Sequence, residues 1–239
     1  MTTKKFVQGL IVTVALCLSA TAGRAQNDRF FLLGSGSSLN DNRSFTEGYI
    51  PYSTSYATGG GAILGVELPL KKSKTFGVEV SYGLTQNNLK LANLSYSYKP
   101  TTAYGLRDNR FSLDLVAHAP GSYHGVHPYV VFGVEYDDFS PTSAAQTLAT
   151  KIGFAFEPTA KFSSQGNGGF NLGGGLDHKL TTRLGLRLDI RYHITGSPTF
   201  GLPTSQPSTV GLAWFPATGS SHIIVYSIGI VYMFGKEGP

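Results

Sequence analysis

Residues 168–193 read GGFNLGGGLDHKLTTRLGLRLDIRYH. From Leu184 the stretch alternates without a break. Leu184, Leu186, Leu188, Ile190 and Tyr192 share one parity; Arg183, Gly185, Arg187, Asp189, Arg191 and His193 share the other. A period of two predicts a β-strand, because successive side chains leave opposite faces of a sheet. The first half alternates more weakly, with Phe170, Leu172 and Leu176 against Asn171, Gly173, Gly175 and Asp177. The polar join at residues 178–182 predicts a hairpin turn. The polar face of the second strand holds arginine, aspartate and glycine but no lysine. Arginine and aspartate suit fixed, paired geometry, whereas lysine suits bulk solvent. The expectation is therefore an inside-out sheet, its polar face lining a lumen and its leucine face meeting lipid.

The N-terminus reads differently. Lys4 and Lys5 precede an apolar run, residues 10–20, and small residues follow it, offering cleavage after Ala22 or Ala25. This pattern predicts a secretory signal peptide over residues 1–25, too short and wrongly flanked for a membrane span. The single cysteine, Cys17, lies within that leader, so residues 26–239 carry no thiol for a disulfide or a nucleophile. Removing Lys4, Lys5 and Arg24 with the leader leaves 16 basic against 14 acidic residues. That near balance gives no case for nucleic acid as a partner. No other apolar run approaches the ~18 residues of a membrane helix.

Eight strands follow in the alternation: residues 29–35, whose two parities are both apolar, then 61–70, 75–86, 109–118, 127–136, the opening hairpin, and 222–234. Between them the connections run long, short, long, short, long, short, long. The long ones are expected at residues 36–60, 87–107, 137–167 and 195–221. With the N-terminus in the periplasm, every long connection is extracellular and every short turn periplasmic, as in bacterial transmembrane barrels. Aromatic residues fall at two levels: Phe30, Phe76, Tyr232 and Phe234 toward the short turns, and Phe111, Tyr136, Phe170 and Tyr192 toward the long loops. Paired girdles of this kind are expected where amphipathic rings meet headgroups.

Three segments carry a family likeness: Pro128-Tyr-Val-Val-Phe-Gly-Val134, Asn171-Leu-Gly-Gly-Gly-Leu-Asp177 with Leu184-Gly-Leu-Arg-Leu-Asp-Ile-Arg-Tyr192, and the aromatic final strand. Together they resemble the small eight-stranded outer-membrane barrels of the outer membrane protein A and opacity protein superfamily. The resemblance implies an all-β, antiparallel, up-and-down transmembrane barrel over residues 26–239, located in the outer membrane. It specifies architecture well and activity poorly.

The expected inward face collects Glu67, Glu79, Asp114, Glu135, Asp177 and Asp189 with Arg110, Arg183, Arg187 and Arg191. Paired carboxylates are one pattern of acid–base catalysis, but a narrow barrel must fill its interior with side chains that satisfy one another. The favoured reading is a structural ion-pair network, with no catalytic, cofactor or metal residues. Matching parities across the opening hairpin sets Asp177 opposite Arg183. Glu67 and Glu79 share one hairpin, so their cations must come from elsewhere, and Arg187 and Arg191 are placed to reach across the lumen. His124 and His127 have metal-pair spacing but no cysteine or carboxylate beside them, and a plain turn is favoured. His193, His222 and the loop serines form no distinctive nucleophile spacing. Gly166-Asn-Gly-Gly169 and Gly173-Gly-Gly175 do not open a helix as a nucleotide loop does.

The functional expectation is an outer-membrane barrel with a structural or surface-interaction, adhesin-like role, and no enzyme. Its partners would be outer-membrane lipids and lipopolysaccharide, the barrel-assembly machinery, and a surface ligand held by the four long loops. The alternatives are a narrow-solute channel, a soluble lipocalin-like binder with the leucine face inward, and a lipid-modifying enzyme at the rim.

Overall fold

The computed structural model describes residues 28–40, 43–47, 50–70, 75–93, 101–146, 163–204 and 219–234. The expected leader, the short turn at residues 71–74 and the middle parts of the loops expected at 137–167 and 195–221 lie outside them. Ten strands run in chain order: β1 Arg29–Asn40, β2 Arg43–Glu47, β3 Ile50–Tyr56, β4 Gly59–Pro69, β5 Phe76–Asn93, β6 Thr101–His118, β7 Val126–Pro141, β8 Gln165–Lys179, β9 Leu184–Gly196 and β10 Ser220–Met233. Eight of them close a ring. Each of β4 to β10 is antiparallel to its neighbour in sequence, and β1 bridges β4 and β10. Closure removes the unpaired edges that a sheet in lipid cannot carry.

Side-chain polarity is inverted relative to a soluble sheet. Along β9, Arg187, Asp189, Arg191 and His193 are buried while Leu188, Ile190 and Tyr192 are exposed. On β10, Ile224, Tyr226, Ile228 and Ile230 face outward, and on β7 Val130, Phe132, Val134 and Tyr136 do. The ambiguous first strand is now assigned: Phe31 and Leu33 point inward and Leu32 outward. Aromatic residues mark both limits of the apolar belt. Phe30 is registered with Tyr232 at the turn end, and Phe111 with Tyr136 at the loop end.

Two of the long loops are largely strand. The stretch expected as a loop at residues 36–60 contains the end of β1, the β2–β3 hairpin and the start of β4. The described residues of the stretch expected at 87–107 extend the β5–β6 pairing, registered from Asn87↔Leu106 to Ala92↔Thr101. The reason is a second change of polarity. Beyond Leu84, β5 turns Gln86, Asn88 and Lys90 outward and Leu89 inward. Above the belt the outer face meets water, so the strand no longer shows the lipid-facing alternation that flagged it lower down. Strand β3 adds to this extension through Tyr52↔Asn93 and its neighbours. In the stretches expected as loops at 137–167 and 195–221, the described residues include the end of β7, the start of β8, the end of β9 and the start of β10, and a helical turn at residues 143–146.

Candidate functional site

The inward faces of the eight ring strands converge on a lumen packed in two layers. The ionic layer lies within the apolar belt and is centred on Arg187. This side chain is wholly buried, its guanidinium 4.8 Å from the Phe31 ring centre and 4.6 Å from that of Tyr129. It donates to Asp177 through Nε at 2.7 Å, to Glu79 at 3.0 Å and to Glu67 at 2.9 Å. Arg191, two inward positions along β9, donates to Glu79 at 2.6 Å, to Asp114 at 2.8 Å and to Asp189 at 3.0 Å. Guanidinium suits this task because its five donors sit in a fixed fork that can serve several carboxylates at once. Tyr129 closes the layer with a 2.5 Å bond to Asp189, and Asn171 donates to Asp114 at 2.7 Å.

Glycine makes the room. A Cβ at Gly65 would run into the Phe31 ring, and one at Gly175 into the Leu188 carbonyl and the Tyr129 phenol. The GGG run of β8 thus leaves space for the aromatic and guanidinium groups of its neighbours.

Toward the loops, Arg110 donates to Asp137 at 2.6 Å and to Asp108 at 2.7 Å, and lies 4.0 Å from Glu135. His193 meets Glu135 at 2.5 Å. Above this cluster the second layer is apolar: Leu39, Leu89, Tyr104, Leu106, Phe139, Phe200, Ile223 and Val225 form one buried group. Toward the turns, Arg29, Glu67, His118 and Asp177 meet, with Glu67 Oε1 2.7 Å from His118 Nε2 and Arg29 3.2 Å from Asp177.

Nine of the ten residues expected in the lumen lie there. Arg183 does not: it is exposed in the turn after β8, and Asp177 is registered with Arg187 instead. Parity alone allowed either partner. The turn is tighter than the alternation implied, because Leu180 and Thr181 bond back to the Leu184 carbonyl, so Arg183 falls outside the ladder. Four further charged groups had not been singled out. Asp108, Asp137 and His118 continue the inward parity of Arg110, Glu135 and Asp114, and that continuation was the available signal. Arg29 sits on the strand whose faces the sequence left open. Among the described residues the lumen therefore sets eight carboxylates (Glu67, Glu79, Asp108, Asp114, Glu135, Asp137, Asp177 and Asp189) against four guanidiniums (Arg29, Arg110, Arg187 and Arg191), with His118 and His193 beside them.

A cavity of about 20 Å³ remains between Ser81, Thr85, Arg110, Ser112, Arg191 and His193, roughly the space of one water. A larger depression is lined mostly by outward residues, among them Gly34, Leu188, Ile190, Tyr226 and Ile228. At the rim, His222 accepts or donates at 2.6 Å to the Tyr192 hydroxyl, and Ser220 Oγ lies 3.4 Å from its other nitrogen. His193, on the polar parity of β9, is buried in the lumen.

Residues 10–215 match a family model described as the outer membrane protein beta-barrel domain. Among solved structures the fold is similar to the outer membrane protein OprG from Pseudomonas aeruginosa, with 15% identity and a TM-score of 0.56, over 89% of this chain and 98% of that one. It is also similar to the outer membrane protein AlkL in DMPC lipid bilayers, with 14% identity and a TM-score of 0.52, over 89% of this chain and 92% of that one. At such identities the likeness is one of fold. Comparison with curated proteins gives no match.

Proposed function

The chain belongs to the outer membrane protein β-barrel domain family and resides in the outer membrane, and from that premise we propose that it is a closed anchor with a structural or surface-interaction role. In this reading residues 1–25 direct export, the barrel-assembly machinery inserts the remainder, and the apolar belt takes up lipid and lipopolysaccharide. The outer ends of the strands and the four long connections face the cell's surroundings and carry any adhesin-like contact. The barrel performs no reaction of its own.

One observation carries the reading. Arg187 is wholly buried between two aromatic rings and three carboxylates. A solute crossing the lumen would have to displace that guanidinium, and leaving several buried carboxylates unpaired is strongly unfavourable. The apolar layer above presents a second obstruction. Eight strands leave an interior only wide enough for side chains, which agrees with this packing. Reconstitution in planar bilayers tests the proposal: the folded chain should give no sustained single-channel steps in salt. Stable, reproducible conductance would overturn it in favour of a narrow-solute channel.

A further inference from the structure

We propose that Glu67, His118 and Asp177 form a binding site for a first-row divalent metal ion at the turn end of the lumen, and that Arg29 is the displaceable cation occupying it. One ligand atom from each of the three residues lies within 4.8 Å of the other two. They arrive from β4, β6 and β8, so the ring itself and no loop sets their spacing. Glu67 and His118 are buried and Asp177 is half-buried.

The position already holds a positive group. Arg29 Nη1 is 2.9 Å from His118 Nε2, 3.2 Å from Asp177 and 3.5 Å from Glu67. His118 Nε2 also lies 2.7 Å from Glu67 Oε1, and its Nδ1 is 3.3 Å from Arg29 Nη1. With the proton on Nε2, the ring donates to Glu67 and offers Nδ1 to Arg29. With the proton on Nδ1, Nε2 joins the carboxylate oxygens in directing lone pairs at one centre, which is the arrangement a metal ion takes.

Charge points the same way. Lumenal carboxylates outnumber guanidiniums two to one among the described residues, so exchanging one positive charge for two reduces the imbalance. Arg29 can leave: its side chain is 25% exposed, against 0% for Arg187. One imidazole with two carboxylates suits zinc, manganese, iron, cobalt or nickel better than calcium or magnesium, which favour all-oxygen shells.

The test uses the full chain folded in detergent micelles and treated with chelator, with zinc titrated by calorimetry and cobalt followed by its visible absorption. One equivalent should bind. R29Q should tighten binding at least tenfold by removing the competing cation, and H118Q should weaken it at least a hundredfold. Both variants are first checked for the gel-mobility shift of a folded barrel. The triple variant H124Q/H127Q/H178Q should bind as the parent does, which separates the lumen site from histidines near the turns. A folded R29Q that takes up no zinc or cobalt overturns the proposal. So does H118Q binding as tightly as the parent, or loss of binding in the triple variant.

Discussion

Arg183 and Arg187 have the same side chain and the same strand parity, yet they differ in every physical respect that matters. Arg183 is exposed in a turn. Arg187 is wholly buried and reaches Glu67, Glu79 and Asp177. Truncating a residue that neutralises several buried carboxylates exposes them to one another in a low-dielectric interior, at about 3–5 kcal/mol. Arg187→Ala should therefore unfold at clearly lower urea concentration in detergent, read by gel mobility, whereas Arg183→Ala should unfold with the parent. Equal midpoints would remove the lumenal network from any account of stability. Gly65 gives a second residue-scale test. A methyl there runs into the Phe31 ring, and overpacking of this kind costs about 1–3 kcal/mol. Gly65→Ala should destabilise, and the pair Gly65→Ala with Phe31→Leu should cost less than the two singles together. Strict additivity would mean that the ring and the glycine are not in contact.

At the scale of one strand, β5 explains both what the sequence disclosed and what it hid. From Phe76 to Leu84 its outward residues are apolar or aromatic, because lipid demands it. From Gln86 to Lys90 they are polar, and Leu89 is buried on the other face. The lower half was legible because a lipid-facing alternation with ionic partners is distinctive. The upper half, a short polar-out pattern as in soluble sheets, resembled a loop, and so the extensions of β5 and β6 were missed while the eight-strand count was right. The same logic covers the lumen. Parity placed most of its charged residues, but partners across the barrel depend on register, and register depends on turn geometry that alternation does not specify. The two halves should respond to different mutations. Leu89→Ala removes buried volume from the apolar layer, worth about 2–5 kcal/mol. Its effect should be faster amide exchange at residues 86–93 and 101–107, with residues 76–84 unchanged. Ile190→Arg, at the middle of the belt, should instead destabilise the barrel by about 2–4 kcal/mol in bilayers. The reverse pattern, with exchange rising first within the belt for Leu89→Ala, would show that the layers do not act separately.

The whole molecule is two cylinders of opposite polarity on one set of strands: ionic within and apolar outside at membrane level, apolar within and polar outside above it. This arrangement orients the chain as well as folding it. The belt can slide neither up nor down without placing Lys90 and Arg107 in lipid or Leu188 and Ile228 in water, and each misplaced side chain is unfavourable by the transfer free energy of its group. Depth in the membrane is thus a property of the chain, and a single-cysteine survey can read it. The chain's one cysteine, Cys17, falls in the expected leader, so each introduced thiol reports alone. K90C and R107C should react with a membrane-impermeant maleimide on intact cells. T181C and Y123C, exposed in the short turns, should react only after the outer membrane is permeabilised. I190C and I228C should resist the reagent in both conditions, and a fluorophore placed there in purified protein should be quenched by brominated lipid. Equal labelling of K90C and T181C on intact cells would mean the threading is not unidirectional. Labelling of I190C or I228C by the aqueous reagent would move the lipid boundary off the leucine and isoleucine face, and with it the reason for the ionic lumen.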